Sequence, residues 1–437
     1  MTKRINFSTA LSVVIANMVG TGVFTSLGFQ IGDIKDYAAL IFLWLLGGII
    51  SLFGAFSYAE LGAAMPQSGG EYNFLSKIFH PSIGFLSGWV SATIGFAAPI
   101  ALAASALAKY TNTIYEIDGR LLGTAVIIII TIFQSIGHHV GGTFQTIVTS
   151  LKILLIVIFI VCGFVLATPQ PNITFLPTAD THSFIFSGAF AISMFFVAFS
   201  YSGWNAAAYI AGEIENPQRN VPLALFAGTG IVTVLYVLVN FIFLYTAPAI
   251  ELAGQLEVGF VSAKHIFGDN GAKVISGFIS MLLVSTISSM IIAGPRVISA
   301  IGNDFSVFKI AAKTNKHGIP VYAIWIQSAI ALILLYSGSF DFILNCTTFV
   351  LILFSTITVL GVFVSRIQSP DLVRPYKAWG YPFTPALYIV ANLWFLYFAL
   401  KWKQQESLIG LGIVATGLVV YFVAKKLSKD GDVKTIS

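Results

Sequence analysis

Hydrophobic residues fill the chain in long, nearly continuous runs that are separated by short polar segments. The run 126–130 consists of five aliphatic residues and lacks the alternation of apolar and polar positions that a half-exposed strand shows. A helix needs about 20 apolar residues to cross the hydrocarbon core of a bilayer. Twelve segments of roughly this length lie between polar, Gly or Pro positions: 7–30, 38–63, 83–109, 121–138, 143–168, 183–212, 221–246, 272–301, 320–338, 341–365, 383–401 and 407–425. The pattern predicts an all-α integral membrane protein with twelve transmembrane helices.

The composition disfavours the water-soluble classes of protein. Of the 437 residues, 57% are hydrophobic and only 9% are charged, whereas soluble domains carry about 25% charged residues. The net charge of +5 does not restore a soluble enzyme or a nucleic-acid binder, because the basic residues form no stripe. The two cysteines, Cys162 and Cys346, lie in apolar runs and are predicted to be packed thiols.

Lysine and arginine positions predict which membrane face each loop occupies, because these residues collect on the cytoplasmic side. With the N-terminus inside, fifteen of the 23 basic residues lie in cytoplasmic segments and seven lie outside, while Lys152 belongs to neither set. The distribution predicts a multi-pass protein of the cell membrane with both termini cytoplasmic. The apolar stretch 7–29 has no small-residue cleavage site, so we interpret it as the first span and not as a signal peptide.

Two of the predicted spans are interrupted near their middle. The first span holds Gly20 and Gly22 within the stretch 19–24, and the sixth holds the polar stretch 200–205. Glycine weakens a helix, and unwound backbone at bilayer depth is tolerated only where it faces a cavity or a ligand. Close helix packing through small residues is the alternative explanation of each interruption.

Interruptions five spans apart are the pattern of two inverted five-helix repeats that bind a substrate between their broken helices. We therefore divide the chain into 1–182 (spans 1 to 5), 183–365 (spans 6 to 10) and 366–437 (spans 11 and 12 with a cytoplasmic tail). The N-terminus of a half-helix offers N–H donors and a positive dipole end to a carboxylate. The carbonyls at the end of another half-helix suit an ammonium group, so the predicted substrate is a zwitterionic α-amino acid.

Four parts of the sequence carry a resemblance to a known family. They are Val19–Phe24, Tyr58–Gly62 with Pro66–Tyr72, Phe199–Asn205 with Gly212–Pro222, and Arg374–Lys377 with Gly380–Pro382. With these motifs and the span spacing, the chain resembles the amino acid–polyamine–organocation superfamily, and most closely its L-type amino acid transporter-like branch. The resemblance implies inverted repeats with broken helices 1 and 6, two extra helices, alternating access and amino acid substrates.

The resemblance also assigns roles to residues at the two breaks. The implied substrate-binding residues are Asn17, Val19, Gly20, Thr21, Gly22, Val23, Phe199, Ser200, Ser202 and Asn205. Backbone N–H groups of 21–23 would meet the substrate carboxylate, and carbonyls of 17–19 and 199–202 would meet its ammonium group. Phe199 would be an aromatic gate and Asn205 a polar pocket residue. Ordinary core packing of Phe199 and capping of the second half-helix by Asn205 are the alternatives.

A single basic residue, Lys152, lies inside a predicted span. It stands about nine residues into the fifth span, which places it ~14 Å deep. A charge at that depth costs at least ~2.5–3.5 kcal/mol, and the side chain is too short to snorkel over more than two helical turns. In members of the resembled family, a lysine here replaces a sodium ion and braces span 1 against span 8, where Thr286 is the expected partner. We predict sodium-independent transport, by exchange or by proton-linked uptake.

Five charged residues at the predicted cytoplasmic span ends are candidates for an inner gate: Glu60, Glu71, Glu213, Glu215 and Arg296. Solvated helix ends are the alternative interpretation. His138 and His139 have no acid or cysteine nearby, so we expect interfacial side chains there and no metal site. We expect no cofactor.

No acidic residue falls near the middle of any span, which favours neutral amino acids as substrates. A cationic amino acid or polyamine exchanger of the same fold is the alternative. The loop 109–120 lacks the cysteine with which animal heteromeric members of the resembled branch bond a partner glycoprotein. We therefore expect no disulfide-linked heavy chain and no nucleic acid; the expected partners are an amino acid and the lipid bilayer.

Other classes of membrane protein fit the sequence less well. A channel needs a continuous polar stripe along its pore, a receptor needs a substantial extramembrane module, and the sequence shows neither. An intramembrane enzyme needs catalytic side chains within its spans, and we find no Ser/His, paired-Asp or H-E-x-x-H arrangement there. The sequence therefore predicts a transporter and not an enzyme.

Overall fold

The computed structural model describes residues 5–136, 142–171, 173–178, 181–316 and 318–427. His138 and His139 lie outside these residues. The α-helices are α1 Phe7–Met18, α2 Thr21–Gln30, α3 Tyr37–Ala64, α4 Glu71–Ile78, α5 Pro81–Val90, α6 Ala97–Asn112, α7 Gly119–Ile136, α8 Gly142–Leu166, α9 Thr181–Ile185, α10 Gly188–Tyr201, α11 Ala206–Tyr209, α12 Pro217–Thr246, α13 Ala249–Leu252, α14 Val258–Asp304, α15 Val321–Ser337, α16 Phe340–Gln368, α17 Phe383–Trp402 and α18 Gln404–Leu427. β-Pairing in the described residues is confined to an isolated bridge between Ile5 and Ile214.

The prediction of an all-helical, multi-pass membrane protein is confirmed. Among the described residues, ten helical stretches are long and apolar enough to cross a membrane: Phe7–Gln30, Tyr37–Ala64, Pro81–Asn112, Gly119–Ile136, Thr146–Leu166, Pro217–Thr246, Val258–Asp304, Phe340–Gln368, Phe383–Trp402 and Gln404–Leu427. Two further apolar helices, α10 and α15, are shorter and fall in the predicted sixth and ninth segments. α10 is short because the sixth segment is interrupted after Tyr201.

Several helices begin where a polar side chain caps the first free N–H groups. The Asn6 side chain accepts a hydrogen bond from Thr9 N at 2.9 Å, and Asp36 accepts one from Ala39 N at 2.7 Å. Ser187 caps α10 in the same way. Each of these polar residues stands just before an apolar run, so the sequence itself sets where α1, α3 and α10 begin.

Burial separates the central helices from the peripheral ones. In the most apolar part of Phe7–Gln30, 89% of the residues are buried, whereas the corresponding share is 22% for α7 and 28% for α18. Both α7 and α18 expose aliphatic side chains, which suits contact with lipid tails. The interrupted first span therefore lies at the centre of the bundle, where α8 and α12 pack against it.

The third span changes its helix type partway along. A π-helical turn covers Ser91–Gly95 between α5 and α6. Pro99, in the first turn of α6, has no N–H group to donate. Wide turns of this kind are frequent at functional sites, and Ser91, Gly95 and Pro99 all line the central cavity of this protein.

Candidate substrate site at the two broken helices

The first span is interrupted for two residues only. α1 ends before Val19 and α2 begins after Gly20, both of which have non-helical backbone angles. A Cβ atom at Gly20 would lie 3.0 Å from Thr286 Cγ2, which is closer than ordinary contact. The break is therefore narrower than the predicted stretch 19–24, and Gly22 is already helical.

The sixth span is interrupted over residues 202–205, within the predicted stretch. Gly203 has a φ of 94°, a left-handed conformation that glycine adopts without steric cost. A Cβ atom at Gly203 would lie 2.8 Å from the backbone of Asn17, and one at Gly22 would lie 2.5 Å from Ser200 Cα. The two interrupted spans thus touch through their backbones, because glycine stands at both contact points.

Lys152 lies where α8 passes the first break, and its side chain is fully buried. Its Nζ atom donates to Val19 O at 3.4 Å and to Thr286 Oγ1 at 3.2 Å. The Thr286 hydroxyl donates in turn to Leu282 O at 3.0 Å within α14. The ammonium group therefore connects α8, the break in span 1 and α14, and the structure brings Lys152 and Thr286 together as the sequence analysis expected.

A tyrosine that the sequence analysis did not single out joins the two breaks. Tyr236 is fully buried on α12. Its hydroxyl donates to Met18 O at 2.6 Å and lies 3.2 Å from Ser200 O. Met18 ends α1, and Ser200 is the last residue but one of α10. The available signal was a tyrosine inside an apolar span, since a buried tyrosine hydroxyl usually finds a hydrogen-bond partner.

A cavity of about 810 Å³ lies beside the breaks. Of the sequence-predicted site residues, Asn17, Phe199, Ser202 and Asn205 line it. The others are buried outside its lining: Val19, Gly20, Thr21, Gly22, Val23, Ser200, Lys152 and Thr286. Gly20 has no side chain with which to cap α2. The first N–H groups of that helix are therefore donors without a capping acceptor, as at any uncapped helix N-terminus.

The cavity extends toward the end of the bundle where the described chain begins. Ile5 and Asn6 line it there. Arg296 and Glu213, two of the predicted gate residues, also line it and form an ion pair at 3.3 Å. Both side chains of this pair are partly exposed, so the pair lies on the accessible side of the cavity.

The opposite end of the bundle is closed over α2. Gly254 N donates to Gly28 O at 2.8 Å, which holds the segment after α13 against α2. The Tyr110 hydroxyl, from α6, donates to Phe24 O at 2.7 Å. The central site is therefore covered by packed backbone on one side and bordered by a cavity on the other.

The remaining gate candidates have contrasting surroundings. Glu60 is 1% exposed and forms ion pairs with Arg366 at 2.6 Å and Arg374 at 3.3 Å, outside the cavity lining. These contacts attach the end of α3 to α16 and to the loop after it. Glu215 is exposed, in agreement with a solvated helix end.

Glu71 faces the cavity although it stands outside the spans, in the first turn of α4. The Tyr58 hydroxyl at 2.5 Å and Asn205 Nδ2 at 3.2 Å donate to its Oε1 atom, and the Ser87 hydroxyl at 3.3 Å donates to Oε2. Burial raises the pKa of Glu71, and the three donors offset this only in part. A search of span centres misses this carboxyl group, because α4 lies between two spans.

Comparison with known proteins places this architecture in a family. The sequence profile described as amino acid permease matches residues 5–422. The chain belongs to the amino acid permease family. The serine/threonine exchanger SteT of Bacillus subtilis (strain 168) is 29% identical over 441 residues, which cover 97% of each chain. The b(0,+)-type amino acid transporter 1 of Mus musculus is 26% identical, over 96% of this chain and 88% of its own.

The cystine/glutamate transporter of Homo sapiens is also 26% identical, over 96% of this chain and 85% of its own. All three relatives are named as transporters or exchangers, and none as an enzyme. The permease is therefore a multi-pass membrane protein of an amino acid transporter family, which confirms the resemblance found in the sequence.

Proposed function

We propose that this permease exchanges neutral amino acids across the cell membrane by alternating access, without sodium. The observation that carries the proposal is the contact between two helix breaks beside one central cavity. The N-terminus of α2 offers N–H donors, and the ends of α1 and α10 offer carbonyls. A zwitterionic α-amino acid matches this pair of opposite polarities.

We infer that the described arrangement faces the cytoplasm. Basic residues favour a cytoplasmic N-terminus, and the cavity reaches Ile5 while the opposite end is closed over α2. Gly22 packs against Ser200, so the N–H groups of 21–23 become available to a carboxylate when α2 and α10 separate. Alternating access in this proposal includes that separation.

Sodium independence rests on Lys152. Its ammonium group donates to Val19, in the break of span 1, and to Thr286, on α14. In the proposed mechanism a bound cation would join these same two parts of the fold. A fixed ammonium group already supplies the positive charge and the hydrogen-bond donors at this point. In this proposal the Lys152 side chain stays charged throughout transport, so the exchange of amino acids needs no metal ion.

The proposed architecture consists of two inverted five-helix repeats, 1–182 and 183–365, followed by the two helices of 366–437. The support is the spacing of the breaks, five spans apart, with α10 and α15 completing twelve spans. In this scheme both termini lie in the cytoplasm. The loop 109–120 offers no cysteine to a disulfide-linked heavy chain, so the permease acts without one.

Counterflow of labelled amino acids in proteoliposomes tests the proposed function. Serine and threonine are the first substrates to try, because the Bacillus subtilis relative is named as their exchanger. We expect saturable uptake into vesicles preloaded with unlabelled amino acid, at equal rates in sodium and potassium buffers. Uptake that requires a sodium gradient, or no counterflow with any of the twenty amino acids, would refute the proposal.

A further inference from the structure

The cavity wall carries one more acidic side chain than basic side chains. The charged residues that line the cavity are Glu71, Glu213 and Arg296. Arg296 and Glu213 neutralise each other in their ion pair. Glu71 makes no ion pair with any described residue, so its carboxyl group, when ionised, leaves the lining one negative charge in excess. A cavity of this sign attracts cations.

The neighbours of the Glu71 carboxyl group are all neutral. Its hydrogen-bond donors are the Tyr58 and Ser87 hydroxyls and the Asn205 amide, together with the positive end of the short helix α4. Burying a carboxylate without a cation is costly. Glu60, buried to the same degree, has two arginine partners. Glu71 has the cavity on its open side instead.

Aromatic side chains surround the same part of the cavity. Trp204, Tyr209 and Tyr388 all line it. The Trp204 ring lies 6.3 Å from that of Tyr388, and 4.7 Å from the ring of Tyr58, which donates to Glu71. Aromatic rings attract ammonium and guanidinium groups through their negative faces. A carboxyl group among such rings has the composition of a cation-binding pocket.

We propose that Glu71, with the rings of Trp204, Tyr209 and Tyr388, forms a subsite for the cationic side chain of an amino acid. The inference rests on the proposed function, because the α-amino and carboxyl groups of that substrate occupy the helix breaks. Asn205 connects the two parts of the site, since it ends the break in span 6 and donates to Glu71 at 3.2 Å. The substrate range then includes cationic as well as neutral amino acids.

Counterflow of labelled L-lysine and labelled L-serine, in separate batches of the same proteoliposomes, tests the subsite. We expect the wild-type permease to exchange both. Glu71→Gln keeps the size of the side chain and its ability to accept hydrogen bonds but removes the charge. We expect it to lower the lysine-to-serine ratio of exchange rates about tenfold or more, since charge-assisted hydrogen bonds are the strong ones.

Two further variants complete the design. Glu257→Gln removes an equal charge from a residue outside the cavity lining, and the ratio should stay at its wild-type value. Tyr209→Leu removes one aromatic ring from the cavity wall and should also lower the lysine-to-serine ratio. This variant tests the subsite even if Glu71→Gln does not fold. Serine counterflow in each preparation reports on folding.

The outcomes separate the subsite from the proposed function. Serine exchange without lysine exchange in the wild type overturns the subsite and leaves neutral exchange intact. A Glu71→Gln variant that elutes as a single species and loses both activities equally, or neither, also overturns it. Absence of counterflow with any of the twenty amino acids, in wild-type protein that elutes as a single species, refutes the proposed function itself and the subsite with it.

Discussion

The two helix breaks are held by buried charges of opposite sign. At the first break the Lys152 ammonium donates to Val19 O at 3.4 Å, and at the second the Glu71 carboxyl group accepts from Asn205 Nδ2 at 3.2 Å. Lys152 is fully buried and does not line the cavity, whereas Glu71 does. The comparison indicates that Lys152 stabilises the structure of the site, whereas Glu71 contacts the substrate in the cavity.

The partners of the two charges agree with this division. Lys152 binds the Val19 carbonyl, in the break of span 1, and the Thr286 hydroxyl, on α14. Glu71 binds three side chains, one of which belongs to the break itself. Removing Lys152 should therefore harm transport of every substrate, while removing the Glu71 charge should discriminate among substrates.

The largest expected effect comes from Lys152→Ala. The variant leaves Val19 O and Thr286 without their shared donor and opens a gap between α8 and α14. We expect the rate of serine counterflow to fall about a hundredfold, because truncating a buried charged side chain removes hydrogen bonds of roughly 1.5–3 kcal/mol each. Lys273→Ala, at an exposed position on α14, is the matched control. Undiminished transport by Lys152→Ala would remove the residue from the mechanism.

Gly203→Ala tests the direct contact between the breaks. The new Cβ atom would lie 2.8 Å from the Asn17 backbone, at a φ of 94° that alanine adopts with strain. We expect serine counterflow to fall at least about tenfold in protein that still purifies, since the strain and clash cost more than roughly 1–2 kcal/mol. Gly412→Ala, which has open space around its Cβ position, should behave as wild type. Equal rates in both variants would contradict the contact.

Tyr236→Phe tests the bridge between the two breaks. Loss of the hydroxyl leaves Met18 O without its donor and removes the link to Ser200. One hydrogen bond contributes about 0.5–1.5 kcal/mol, so we expect counterflow to slow by roughly two- to tenfold for serine and lysine alike. Tyr397→Phe, 58% exposed on α17, is the control. A change in the lysine-to-serine ratio would show that Tyr236 acts on the side chain of the substrate, contrary to its position.

The smallest expected effect is the pH dependence of lysine binding. Burial raises the pKa of Glu71, so the carboxyl group is neutral below that value and ionised above it. The half-saturating lysine concentration should therefore fall by roughly threefold as the pH rises from about 5 to about 7.5, while that of serine stays flat.

The groups that face Glu71 support this assignment of the pH dependence. They are the hydroxyls of Tyr58, Tyr209 and Tyr388, and the Arg296–Glu213 pair on the same cavity wall. Glu71→Gln should abolish the dependence. A dependence that persists in that variant would assign it to another group.

Much of the site follows from the sequence because its chemistry is local. Two glycines weaken the first span, so the break at Gly20 is predictable, and a lone lysine in an apolar helix must find partners, although its role in transport stays a prediction. The assembly of α8, α14 and the first break around Lys152 agrees with that prediction. Ten long helices are described where twelve spans were predicted, because the sixth segment is cut short by its own break and α15, in the ninth segment, has only 17 residues.

Sequence reasoning missed Tyr236, and it missed how Glu71 and residues 21–23, which it did name, are packed; both depend on tertiary placement. Tyr236 resembles any other residue of an apolar span until α12 brings it between Met18 and Ser200. Glu71 lies in a connecting segment, and only the packing of α4 turns it toward the cavity. The N–H groups of 21–23 are placed away from the cavity because Gly22 packs against Ser200. Such contacts arise between segments distant in sequence.

The lysine-to-serine ratio of counterflow rates in three proteins tests the division between the two charges most directly. For Lys152→Ala we predict that both rates fall together, so that the ratio stays within about twofold of the wild-type value, because Lys152 does not line the cavity. For Glu71→Gln we predict a ratio lowered about tenfold or more. The opposite pattern, in which Lys152→Ala changes the ratio and Glu71→Gln does not, would contradict the account.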